Sequence, residues 1–109
     1  MTHYPEKTCT IDRLVRQERL IEAMISGKKT QQRRNGVYAY PGEIFEVKGV
    51  QFKITEVAQQ YLRDMTDIDA QAEGFANLET YQSAIVKMHP GMVWDGNGVV
   101  WVHTFEQNS

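Results

Sequence analysis

The chain has 109 residues, 41% of them hydrophobic and 24% charged, and a formal net charge of −2. A chain of this length buries roughly 60–70% of its unfolded surface, enough for one core, so residues 1–109 are expected to form a single domain. Cys9 is the one cysteine, which excludes an intramolecular disulfide and suits a reducing, cytoplasmic setting; no apolar run reaches the ~20 residues of a membrane span, and residues 1–7 lack the apolar stretch of a signal peptide.

Residues 1–9 read as an irregular lead-in. From Thr10 to Ser26, the residues Ile11, Leu14, Val15, Ile21, Met24 and Ile25 fall on one helical face. Thr10 serves as the N-cap and Gly27 as the left-handed stop. Gly27–Arg34 then carries Lys28, Lys29, Arg33 and Arg34, four cations in a chain whose remainder stands at −6. Such a cluster on an acidic protein marks a place for something anionic, on a segment expected to be extended or irregular.

Val37–Tyr40 predicts a short strand and Pro41-Gly42 a turn. Residues 43–48 and 50–57, parted by Gly49, predict an antiparallel hairpin whose second strand alternates with period two and runs on toward Tyr61. Thr66 caps a short helix that reaches Glu73 and stops at Gly74. Asn77 caps a longer one with Leu78, Tyr81, Ile85 and Met88 on one face, stopped by Pro90-Gly91. Gly96-Asn97-Gly98 reads as a turn and Val99–Phe105 as a final strand. This order predicts an α+β fold: a small mixed, largely antiparallel β-barrel with helices packed over a cleft.

Lys29 and Arg34 are candidates to hold one anion, the first as a point charge and the second as a bidentate fork. Lys28 and Arg33 add general attraction, and Lys53 faces away from Phe52 and Ile54 toward the same basic surface. Glu73 falls at a helix end, where the helix dipole disfavours a carboxylate, so a cationic partner or a functional role is expected for it. A Lys–Glu pair in a cleft can bind the polar edge of a base or position a water for amide hydrolysis. Tyr38, Tyr40, Tyr61, Trp94 and Trp101 offer stacking faces worth roughly 1–3 kcal/mol per base, although Tyr38 and Trp101 read first as core. His3, His89 and His103 are far apart and no pair has metal-ligand spacing, so neither a metal nor a cofactor is expected. Gly96-Asn97-Gly98 lacks the lysine and helix that follow a phosphate loop.

The pattern Gly-x-Lys-x-x-x-x-Arg after the first helix, here Gly27, Lys29 and Arg34, resembles the signature of the ASCH domain, a relative of PUA-type RNA-binding barrels. Pro41-Gly42-Glu43 is similar to that family's PGD turn, and Ala72-Glu73-Gly74-Phe75 to its acidic helix end. Tyr81 to Gly91 and Val100–Glu106 are similar to its closing helix and strand. The resemblance covers most of the chain. It implies a barrel whose cleft is lined by the Gly27–Arg34 segment and which binds RNA or a nucleoside-like ligand. Some ASCH-like proteins are amidohydrolases of N4-acetylcytidine that use a lysine, a threonine three residues later and a glutamate. Lys29 and Glu73 match the first and last. Gln32 stands at the threonine position, where an amide is no nucleophile, and Thr30 is one residue after Lys29 rather than three.

Three functions are therefore expected in turn. The first is an RNA- or nucleotide-binding domain, acting in RNA metabolism through Lys28, Lys29, Arg33, Arg34, Lys53 and Tyr40. The second is a small hydrolase of a modified nucleoside or of single-stranded RNA, using Lys29, Thr30 and Glu73. The third is a module docking an acidic protein surface. No membrane partner is expected.

Overall fold

The structure is a computed structural model that describes residues 4–91 and 93–108. The readings that touch Met1–His3, including the one on His3, lie outside the described residues. Strands β1 (Gln31–Arg34), β2 (Ile44–Val47), β3 (Val50–Tyr61) and β4 (Val99–Gln107) form one antiparallel sheet in the order β1-β4-β3-β2. The sheet curls into a half-barrel and, with helices α1 (Glu18–Ile25), α2 (Asp67–Ala72) and α3 (Leu78–Met88), makes an α+β fold. Among the described residues no helix is long and apolar enough to cross a membrane.

The hairpin follows from its turn. Lys48 and Gly49 both have positive φ, 49° and 78°, the pairing a two-residue type I′ loop needs to match the twist of its strands. The register Phe45↔Phe52 and Ile54↔Phe105 stacks three aromatic rings inside the curl, with centroids 5.7–6.0 Å apart. Burial of such a ring stabilises the fold by about 1.5–3 kcal/mol. The alternation breaks once: a bulge at Thr55 places Ile54 opposite Phe105 and Glu56 opposite Thr104. The buried set therefore runs Phe52, Ile54, Val57 rather than continuing in steps of two.

Two expected elements differ from the sequence reading. The helix expected over Thr10–Ser26 is a 3-10 turn at Ile11–Arg13 followed, after a break, by α1. Position 18, where the apolar face should continue, is Glu18. The carbonyls of Arg13 and Leu14, which a continuous helix would use internally, accept hydrogen bonds from the Arg34 guanidinium at 2.7–3.2 Å. Val37–Tyr40 is extended but joins no strand. The Val37 carbonyl accepts from Thr8 N–H, Tyr38 N–H donates to His103 Nε2 at 3.0 Å, and Tyr40 N–H donates to Glu43 Oε2. Two side chains and the Thr8 backbone have taken the partners that a neighbouring strand would supply.

His103 is fully buried in the curl. Its Nε2 accepts from Tyr38, so the proton sits on Nδ1, which faces the Gln32 carbonyl at 3.2 Å. Burial holds its pKa below the ordinary histidine value of 6.5, against the opposing hydrogen bonds. Protonation therefore favours the unfolded chain: stability is full above the unfolded pKa and declines as pH falls below it toward the lowered folded value. In urea titrations between about pH 7.5 and 5, the wild type should lose more stability than His103→Gln. Equal losses would mean that the ring is not held neutral.

Candidate functional site

Lys29, Arg33 and Glu73 converge between the sheet and α2. The Lys29 ammonium donates to three oxygens: the Gln31 carbonyl at 2.7 Å, the Glu73 carbonyl at 2.9 Å and Glu73 Oε1 at 3.2 Å. Arg33 Nη1 reaches Glu73 Oε2 at 2.9 Å, its Nη2 lies 3.4 Å from Asp69 Oδ1, and its Nε donates to Gln60 Oε1 at 2.9 Å. Lys29, Arg33 and Glu73 are 1%, 6% and 1% exposed, so two cations and two carboxylates, Asp69 being partly exposed, balance in a low-dielectric setting. Burial pushes the Lys29 pKa below the ordinary lysine range, and the Glu73 carboxylate pulls it back up. Three oxygen acceptors are what an ammonium requires. Burial, and then the Glu73 charge, raise the pKa of the buried Tyr81 phenol of α3.

Each position has a local cause. Thr66 and Asp69 form a capping box that starts α2. Gly74, at φ 96°, ends it in a Schellman motif, with Phe75 N–H on the Ala70 carbonyl and Gly74 N–H on that of Gln71. The turn leaves Glu73 facing β1. Lys29 Nζ caps the Glu73 carbonyl and Thr30 N–H caps that of Ala72, so a cation answers both the helix dipole and the carboxylate. On the other side, Lys28 and Lys29 N–H both return to the Ala23 carbonyl of α1, which fixes where the basic segment leaves the helix.

The strand then sorts the cations by face. Arg33 pairs with Val102 and Arg34 with Trp101, and successive side chains of a strand point to opposite faces. Arg33 therefore joins Glu73 on the helix-covered face. Arg34 goes to the other, where it binds the Arg13 and Leu14 carbonyls and lies 5.3 Å over the Tyr38 ring. The expected Lys29–Arg34 convergence is thus a Lys29–Arg33 convergence, because the segment, read as extended or irregular, is a strand from Gln31 to Arg34 whose alternation separates Arg33 from Arg34. Lys28 and Thr30 have exposed side chains beside the network. Lys53 is exposed on β3, opposite Ile44 and Glu106. Tyr40 lies on the far side, its hydroxyl donating to the Pro5 carbonyl and its ring under Lys7. Gln32 is buried on the His103 face with Oε1 unpaired.

Asp69 and Gln60 were missed. Asp69 stands three after the Thr66 cap and four before Glu73, which puts both carboxylates on one side of a short helix; that spacing was readable. Gln60 needed the Thr55 bulge, which resets the facing of β3. Beside Lys29 and Thr30 a groove of about 320 Å³ opens, lined also by Gly27, Phe105 and Gln107. Among the described residues no group of three or more His, Cys, Asp or Glu stands where it could hold a metal ion.

A curled antiparallel sheet with a helix-covered ionic junction after the first helix defines the class of fold. No family model matches the sequence, and no curated protein does. Similar solved structures include the ASCH domain of Lactobacillus crispatus JV V101, with a TM-score of 0.64 at 14% identity over 81% of this chain and 69% of that one. A DUF984 protein of Enterococcus faecalis V583 gives 0.55 at 14% identity over 83% and 67%. The chain has the fold of an ASCH domain.

Removing one member of a buried ion network leaves the rest uncompensated, at about 3–5 kcal/mol. Lys29→Met should lose that much in urea unfolding. Adding Glu73→Gln to Lys29→Met should cost less than Glu73→Gln costs alone. Additive losses would show that the two groups are not coupled.

Proposed function

We propose that the protein binds RNA or a nucleotide-like ligand in the groove beside Gly27, Lys29 and Thr30. The observation that carries this reading is the Lys29–Glu73–Arg33 junction: a neutralised, rigid floor with a nucleoside-sized opening at its edge. Lys28, exposed next to Lys29, supplies the charge for a phosphate. Thr30, whose side chain is exposed, and Phe105 both line the groove, and the threonine offers a hydroxyl for the edge of a base. Similarity of fold to an ASCH domain supports the same reading.

Hydrolysis is the second reading, favoured by one observation. A desolvated lysine with a lowered pKa, 3.2 Å from a buried carboxylate, is a pair suited to proton transfer. Against it, no hydroxyl of the described residues is among the hydrogen-bond partners of Lys29 or Glu73, and Gln32 points to the other face. Binding is therefore the stronger reading.

Anisotropy of a labelled ten-nucleotide single-stranded RNA, titrated at several salt concentrations, tests it. The log–log salt slope should be about −0.7 per phosphate neutralised. Lys28→Ala should remove about one such unit, and Thr30→Trp, which fills the groove, should abolish tight binding. Unchanged binding in both variants overturns the groove. Release of acetate from N4-acetylcytidine by the wild type, lost in Glu73→Gln, would move the assignment to the hydrolase.

A further inference from the structure

The strand face that carries His103 and Phe105 into the core does not end there. It continues along β4 to Trp101 and Val99 and along β3 to Gln59 and Tyr61, in the register Trp101↔Gln59 and Val99↔Tyr61, with Arg34 of β1 opposite Trp101. At this end none of the helices of the described residues covers it. Gln59 is exposed, Tyr61 and Val99 are 44% and 41% exposed, and Trp101 is half-buried with Tyr4 packed against its edge. The other face of the same strands, carrying Gln60 and Val100, is the one turned toward the Glu73 network. The open end of this face lies at Val99 and Trp101, and the groove, lined by Phe105 and Gln107, lies toward the other end of β4, with buried His103 between them.

Two cations border this face. Arg63 lies 4.4 Å over the Tyr61 ring and donates to Asn97 Oδ1. Arg34 lies over Tyr38 and binds carbonyls. Among the described residues neither belongs to an ion pair, so the charge of both is uncompensated by a carboxylate, unlike that of Lys29 and Arg33. Asp64 adjoins Arg63 in sequence, and Asp95, whose carboxylate accepts Asn97 N–H, stands in the facing loop. The attraction is therefore local to the two guanidinium groups and not a broad positive field.

The geometry points to this face as a stacking platform for single-stranded RNA, two bases lying on Tyr61 and Trp101 with phosphates at Arg63 and Arg34. The two aromatic positions are diagonal neighbours across β3 and β4, about 7–8 Å apart at Cα, which leaves each ring a separate base. A π-face accepts any base, so the surface selects unpaired strands over sequence. Rings with charge-bearing guanidiniums at their margins suit a base-and-phosphate polymer. A greasy protein partner would leave those charges desolvated. This inference rests on the RNA-binding reading above, but places a second contact at the other end of β4 from the groove.

Trp94→Phe leaves Trp101 as the only indole, and its emission reports stacking directly. Titration with ten-nucleotide oligouridylate and oligoadenylate RNA should quench it to saturation. Tyr61→Ala should weaken binding about tenfold, Tyr61→Phe should not, and Arg63→Ala should lower the salt slope by about 0.7. Labelled RNA that binds with unchanged affinity to Tyr61→Ala and Arg63→Ala, without a Trp101 response, overturns the platform and leaves the groove reading standing. No binding of labelled RNA to the wild type removes both.

Discussion

Glu73 carries its negative charge into the space between the sheet and the helices, where Lys29 and Arg33 compensate it. An unpaired carboxylate there would cost several kcal/mol, so three pieces of chain are bound to one arrangement: the end of α2, the link from α1 to β1, and β1 itself. The constraint is geometric as much as electrostatic. A one-residue slip of β1 on β4 turns every side chain to the other face, which would take Arg33 away from Glu73 and put Gln32 or Arg34 on its face instead. Asp69 and Gln60 hold Arg33 from the far side, so the guanidinium has a single orientation. A buried pair of this kind is weak evidence for net stability, but a demanding specification of register.

Most of the fold could be read from patterns that have one structural solution. Thr66 with Asp69, Asn77, Gly74 and the hairpin around Gly49 each satisfy local backbone groups, and local chemistry is visible in sequence. The places where reading failed depended on distant partners. The break between the 3-10 turn and α1 exists because Arg34, twenty residues on, takes the carbonyls of Leu14. Val37–Tyr40 joins no strand because His103, Glu43 and Thr8 fill its hydrogen-bonding positions. The site was legible to the same degree. Lys29 and Glu73 stood out by charge, spacing and an unfavourable helix position, whereas the choice between Arg33 and Arg34 required knowing that the segment is a strand. Once that is known, period two decides it without further information.

The same alternation redistributes the charge that first drew notice. Of the four cations in Gly27–Arg34, two are inside and neutralised by Glu73 and Asp69, and two, Lys28 and Arg34, have no carboxylate partner among the described residues. The cluster that reads as +4 in sequence therefore offers about half of that to a ligand, and offers it on two surfaces rather than one. Ligand attraction should be weakly cooperative at best across the sheet, because the Lys28 side and the Arg34 side are divided by a packed layer of Val100, Val102 and His103. What joins them is the strand itself. Arg33 and Arg34 are consecutive, so any change that loosens Arg33 from Glu73 also shifts the guanidinium that holds Leu14 and flanks Trp101. The buried network thus acts as the fixed reference from which both candidate surfaces are positioned.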